Sequence, residues 1–183
     1  MNTNSQKTRN MILCAFFTAL IAIGAFIRIP LPITVFTMQF IFVLLSGLIL
    51  GPKFGALSCI LYLVIGLIGF PIFSEGGGPA YLLKPTFGYL IAFAITSFIV
   101  GLMRKKVGTD SIPKLFVICL IGMFITYLLG TLYTYFILNF VAKTPTPYWA
   151  CVASLFPVVA VKDVVSCFVS AATAKKLSKK MIL

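Results

Sequence analysis

Long apolar runs broken by very short polar segments make up almost the whole chain. Six runs can be traced, at about residues 11–28, 36–50, 54–71, 86–103, 114–140 and 149–174. Arg28, Pro30 and Pro32 close the first, and Gly51-Pro52-Lys53 separates the second from the third. Pro71 opens a loop that contains Gly76-Gly77-Gly78, Arg104-Lys105-Lys106 ends the fourth run, and Pro145 and Pro147 precede the sixth. A hydrocarbon core of ~30 Å needs about 20 apolar residues per helix. The pattern therefore predicts an all-α integral membrane bundle of six transmembrane helices forming a single membrane domain over residues 1–183. The first run is too long for the core of a signal peptide and lacks a small-x-small exit, so it is read as a retained helix. No internal repeat stands out.

Composition sharpens this picture. Of 183 residues, 61% are hydrophobic and 10% charged, against roughly 25% charged in soluble domains, so a water-facing surface cannot be built. There are 15 basic residues, 3 acidic residues and no histidine. No GxxxxGK[ST] phosphate loop is present, and without imidazole there is no Ser-His-Asp arrangement. The chain is expected not to be an enzyme and to need no cofactor and no metal. Cys14, Cys59, Cys119, Cys151 and Cys167 lie inside apolar runs without CxxC spacing and read as small buried hydrophobes. The net charge of +12 would suit nucleic acid in a soluble chain; here it marks the cytoplasmic side. With both termini cytoplasmic, that side holds Lys7, Arg9, Lys53, Arg104, Lys105, Lys106, Lys114, Lys175, Lys176, Lys179 and Lys180, leaving Arg28, Lys84, Lys143 and Lys162 at the outer side. The chain is thus expected to be a multi-pass protein of the cell membrane, with no nucleic-acid partner.

A few charges are not explained by topology. Lys162 and Asp163 are adjacent within the sixth run, and Glu75 and Lys84 flank the triple glycine. A charge inside a span costs about 2.5–3.5 kcal/mol on insertion scales and usually faces a cavity or a partner. Lys162 and Asp163 are either a structural ion pair or part of a site. Neighbouring helix positions point about 100° apart, which suits opposite sides of one ligand better than mutual contact. Gly76, Gly77 and Gly78 suit either a lid or an ordinary flexible loop. Tyr81, Tyr148 and Trp149 fit an interfacial aromatic belt, while Tyr89 can line a pocket. Two rows of small residues, Ala15-Ala19-Ala22 and Gly47-Gly51-Gly55, permit close helix approach, and spacing alone does not say to what.

Several of these segments together resemble the BioY family, the biotin-binding substrate (S) component of energy-coupling factor (ECF) transporters. The carriers are Thr37-Met38-Gln39, the Gly47 to Gly55 row with Pro52, Tyr62 to Phe73, the glycine loop, Pro85-Thr86-Phe87-Gly88-Tyr89, and Phe156-Pro157 followed by Lys162. Where the family pattern usually has glycine this chain has Lys84. Near Pro157 the chain has Val159 at a position where relatives often have an acid, with Asp163 one turn further along the same face. The resemblance implies high-affinity capture of biotin and coupling to a transmembrane T component driven by two cytoplasmic ATPases, in a bacterial cell membrane. It also implies that Ala15 and Ala19 form the T-component docking face. The candidate ligand contacts are Asp163, Lys162, Lys84, Tyr89, Gln39, Glu75 and Arg28, under a lid of Gly76 to Gly78. The competing readings are an S component for another vitamin, a stand-alone secondary transporter, and a small membrane enzyme.

Overall fold

The computed structural model describes residues 3–108, 111–156 and 158–181. Helix α1 (Thr3–Phe26) leads into a two-stranded antiparallel ribbon, β1 (Arg28–Pro30) and β2 (Val35–Thr37), with Arg28 opposite Thr37. Then come α2 (Gln39–Ile68), a loop with a 3-10 turn (Pro79–Leu83), α3 (Phe87–Val107) and α4 (Ile112–Phe136). Helix α4 runs on through a π turn (Ile137–Val141), and a short α5 (Tyr148–Ala153) precedes α6 (Val158–Met181).

Helix α2 is 30 residues long and carries a non-helical Gly51, with φ 78° and ψ −175°. That conformation is open to glycine and strained for other residues. Here the chain turns back on itself. Gln39 Nε2 donates to Tyr62 Oη at 2.9 Å although 23 positions separate them, whereas a straight helix would hold them about 35 Å apart. Residues 39–50 and 52–68 are therefore two antiparallel arms. Pro52 sits at the first helical position of the second arm, where its missing N–H is no loss.

Backbone meets backbone where the arms join α3. A Cβ on Gly55 would stand 2.9 Å from the Gly47 Cα, and one on Gly101 would stand 2.6 Å from both Gly51 C and Pro52 N. Gly47 in turn abuts the Ser97 carbonyl. Buried hydroxyls bridge the α2–α3, α3–α4 and α1–α2 interfaces in turn. Ser46 Oγ and Ser97 Oγ are 2.9 Å apart, Thr96 Oγ1 and Thr126 Oγ1 are 2.7 Å apart, and Thr18 Oγ1 donates to the Ser58 carbonyl at 3.0 Å. Small residues and interhelical hydrogen bonds of this kind hold helices together where lipid removes any hydrophobic drive between them.

The polarity of the bundle is inverted relative to a soluble protein. Ser46, Ser58, Ser97, Thr96 and Ser170 are fully buried, while Phe124, Val161 and Phe168 point outward. Among the described residues, four helical stretches are long and apolar enough to cross a membrane: Gln6–Phe26, Gln39–Ile68, Phe87–Val107 and Ile112–Val141. Helix α6, 24 residues long, is less apolar because it carries Lys162, Asp163 and the C-terminal lysines. The five cysteines are buried.

Three boundaries differ from the sequence reading. Helix α1 starts at Thr3 rather than near residue 11, because Gln6, Lys7 and Arg9 are good helix formers. The start of the second run, residues 36 and 37, belongs to the ribbon, whose turn is closed by Leu31 N–H donating to the Thr34 carbonyl at 2.9 Å. The sixth run, read as one span over 149–174, is divided: α5 ends at Ala153 and α6 begins at Val158. Pro157 itself lies outside the described residues, but a proline has no N–H with which to continue a helix.

The α2–α3 contact generates a direct test. Gly101→Ala places a methyl group against the 51–52 backbone and is expected to destabilise the fold by about 1–3 kcal/mol. It should lower the thermal midpoint of the detergent-solubilised protein. An unchanged midpoint would mean that the two backbones do not touch.

Candidate ligand-binding site

A buried cavity lies at the end of the bundle opposite the Gly51 turn. The ribbon supplies Thr34, Val35 and Thr37, and the first turn of α2 adds Gln39 and Phe40. Ser74, Tyr81 and Thr86 come from the loop before α3, and Tyr89, Leu90 and Phe93 from the first turns of α3. The remaining wall is Thr126 and Tyr127 of α4, Leu155, and Val159, Lys162 and Asp163 of α6. Its free space, about 50 Å³, holds a few water molecules. Val159 and Asp163 line it together, as their four-residue spacing requires.

Asp163 is 3% exposed, and its two oxygens differ. Oδ2 accepts a hydrogen bond from Tyr127 Oη at 2.7 Å. Oδ1 lies against the Lys162 ammonium as an ion pair but accepts no hydrogen bond. The Thr86 hydroxyl is also buried without a hydrogen-bond partner. A buried polar group left unpaired costs about 1–3 kcal/mol. The Thr86 hydroxyl is such a group, and it marks where a polar ligand atom would be rewarded.

Lys162 does three things at once. Its Nζ pairs with Asp163, donates to the Thr37 carbonyl at 2.7 Å, and stands 5.0 Å from the centre of the Phe36 ring. It thereby ties α6 to the ribbon. The expectation that Lys162 and Asp163 point apart and avoid each other is corrected. The flexible lysine stem reaches back to its neighbour, because in a dry interior an unpaired charge is costlier than a bent side chain.

The other candidates separate into two groups. Gln39, 2% exposed, lines the cavity and is held by the Tyr62 hydroxyl, which itself donates to the Ile72 carbonyl at 3.1 Å. Tyr89 lines it from α3. Arg28, Glu75 and Lys84 do not. Arg28 is exposed on β1, and Lys84 Nζ pairs with Glu75 Oε2 at 2.9 Å on the outside of the loop. Those two charges satisfy each other at the surface, so neither is held in the cavity.

The glycine run shapes the loop and does not line the cavity. Phe73 and Gly76 exchange two backbone hydrogen bonds, of 2.9 and 3.3 Å. Gly76 and Gly78 have φ of 115° and 96°. Gly77 leaves no room for a Cβ against the Phe70 carbonyl, and Gly78 N–H donates to the Gly66 carbonyl at 2.7 Å. Phe73, buried between Gly66, Tyr62 and Tyr81, pins the loop down. Its reach into the cavity comes from Ser74 and Tyr81, whose hydroxyls are 3.1 Å apart.

Tyr81 is thus a wall residue, 3% exposed, and not part of an interfacial belt; Trp149, 77% exposed, keeps that place. Sequence reasoning missed Thr86, Tyr127 and the ribbon threonines as cavity residues. A usable signal existed for α4, where Tyr127, Thr131 and Thr134 fall on one helical face within an apolar run. Thr134 and Tyr133 fasten that helix to the loop through the Pro85 and Leu82 carbonyls, at 2.9 and 2.6 Å. On α1, Ala15 and Ala19 are exposed, so their face is not used for packing within the bundle.

Comparison with known proteins agrees over most of the chain. A family model described as the BioY family matches residues 1–182. A probable biotin transporter BioY from Lysinibacillus sphaericus is 44% identical over 134 residues, covering 73% of this chain and 68% of that protein. A biotin transporter BioY from Thermotoga maritima is 40% identical over 133 residues, covering 72% and 75%. One from Rhodobacter capsulatus is 32% identical over 179 residues, covering 93% and 94%. Among solved structures, the S-component for biotin from an ECF-type ABC transporter superposes with a TM-score of 0.83 at 28% identity, covering 98% of this chain and 95% of that one. These relatives are transport proteins, not enzymes.

Proposed function

We propose a role for this chain from one premise: it belongs to the BioY family. It is a multi-pass membrane protein that serves biotin uptake as the S component of an ECF-type transporter. It takes biotin from the outer face of the cell membrane, and a T component with two cytoplasmic ATPases supplies the energy. The observation that carries this reading is the cavity in which the Lys162–Asp163 pair and a Thr86 hydroxyl without a hydrogen-bond partner stand among aromatic and apolar side chains. Biotin offers a ureido group with two N–H donors and a carbonyl, an apolar thioether ring, and a carboxylate on an aliphatic chain. In this reading Asp163 Oδ1 accepts a ureido N–H. Lys162, with a third N–H beyond those directed at Thr37 and Asp163, donates to a ligand oxygen. Phe40, Tyr89 and Phe93 cover the ring, and the loop carrying Ser74 and Tyr81 closes the outer side. Pockets of this type are mostly apolar, with a few placed polar groups.

The finer topology belongs to the same proposal. The two arms of α2 each cross the membrane, and with α1, α3, α4 and α6 they make six spans with both termini cytoplasmic. The excess of basic residues at that end supports this orientation. The exposed Ala15 and Ala19 support α1 as the T-component docking face, because small side chains there admit a partner helix to close range.

Two experiments test these readings. The purified protein should bind one biotin without ATP, measured by calorimetry, and Asp163→Ala should weaken binding by a factor corresponding to about 1–3 kcal/mol. Retention of a different vitamin by the purified protein, identified by mass spectrometry, would overturn the choice of ligand. Unchanged affinity in Asp163→Ala would reduce the residue to a structural ion pair. In Ala15→Trp and Ala19→Trp, biotin binding should survive while co-purification with the T component and cellular uptake fail together. Normal assembly in both variants would place docking elsewhere.

A further inference from the structure

A second concavity lies at the opposite end of the bundle, where α3 ends and α4 begins. It is a groove of about 350 Å³ lined by Met103, Val107, Pro113, Val117 and Ile118, with Lys114 as its single charged wall. Val107 and Val117 are 43% and 54% exposed, so the groove opens outward from the bundle. Arg104, Lys105 and Lys106 occupy the last turn of α3 between two of the lining residues. The first turn of α4 contains no acid, and its helix dipole adds positive potential beside Lys114. Among the described residues, the acids Glu75 and Asp163 sit in the outer loop and the ligand cavity; Asp110 lies outside the described residues.

We propose that this groove binds an anionic phospholipid, one acyl chain lying along its apolar wall and the phosphate held by Lys114 and the basic end of α3. The inference rests on the reading that α3 and α4 cross a membrane; it does not depend on biotin. The charge complementarity decides the occupant. A free phosphate would meet Lys114 but leave the groove unfilled, and a zwitterionic lipid would fill the groove without net attraction to Lys114 and the basic turn beside it. A basic pocket between helices at the cytoplasmic end, with an apolar slot beneath it, suits a ligand that is charged at one end and aliphatic at the other.

The test is native mass spectrometry of the full-length protein in detergent, titrated with dioleoyl phosphatidylglycerol or dioleoyl phosphatidylcholine. The wild type should retain phosphatidylglycerol in preference to phosphatidylcholine. Lys114→Gln should reduce that preference about fivefold, and Val117→Trp, which fills the slot, should reduce adducts of both lipids. Biotin affinity, measured alongside, should not change in either variant. If the wild type binds no biotin but keeps its lipid preference, the functional reading fails and this inference stands. Equal retention of the two lipids, or a preference untouched by Lys114→Gln, would overturn it. So would a Val117→Trp variant that keeps its lipid adducts and loses the T component, since that assigns the groove to a protein.

Discussion

The structure depends on backbone contact between α2 and α3. Gly47, Gly55 and Gly101 remove the side chains that would keep the helices apart, and the Gly51 turn lets one 30-residue stretch supply two antiparallel arms. In a bilayer every backbone polar group must be satisfied within the protein, and packing between helices has to come from close fit and polar bonds. The Ser46–Ser97 and Thr96–Thr126 hydroxyl pairs supply those bonds at the same level. The ligand cavity lies at the other end of the bundle, where the ribbon, the loop after α2 and the start of α6 form its walls.

The ligand cavity is consequently made of parts that share no single element. Gln39 is held through Tyr62 and the Ile72 carbonyl, so the second arm of α2 and the loop determine the position of a side chain on the first arm. Asp163 is held through Tyr127 of α4, and Lys162 through the carbonyl of Thr37 on the ribbon. Gln39, Asp163 and Lys162 are therefore each anchored by a group from a different element. This gives a member of the BioY family a rigid site at the level of the side chains, although two of its walls are loops.

The apolar runs were legible in sequence because a bilayer demands about 20 residues per crossing, and Gly51-Pro52 is strong punctuation; the break before Val158 was read through as one span. The ribbon at residues 28–37 was not, since three-residue strands leave no periodic trace and Pro30 and Pro32 read simply as a helix stop. Lys162 and Asp163 were found because charge in an apolar run is expensive. Their direct pairing was the less favoured of the two readings because helix geometry gives directions for Cβ atoms, not for the end of a lysine. Glu75 and Lys84 looked alike to Asp163 from charge alone; only the fold shows that they neutralise each other outside the cavity. Thr86 was overlooked because a threonine hydroxyl at a helix start commonly bonds nearby backbone, and Tyr127 because a tyrosine within an apolar run reads as packing.

Both charges of the cavity belong to α6, which follows the ribbon, α2, α3 and α4 along the chain. When the ribosome has made the ribbon, both arms of α2, α3 and α4, most of the apolar wall already exists, but the carboxylate, the ammonium and the anchor for the ribbon do not. The Tyr127 hydroxyl, the Thr37 carbonyl and the Phe36 face must wait for residues 162 and 163 to insert. Biosynthesis of the site thus runs from the scaffold to the recognition chemistry, and α6 both completes the site and fastens the ribbon in place.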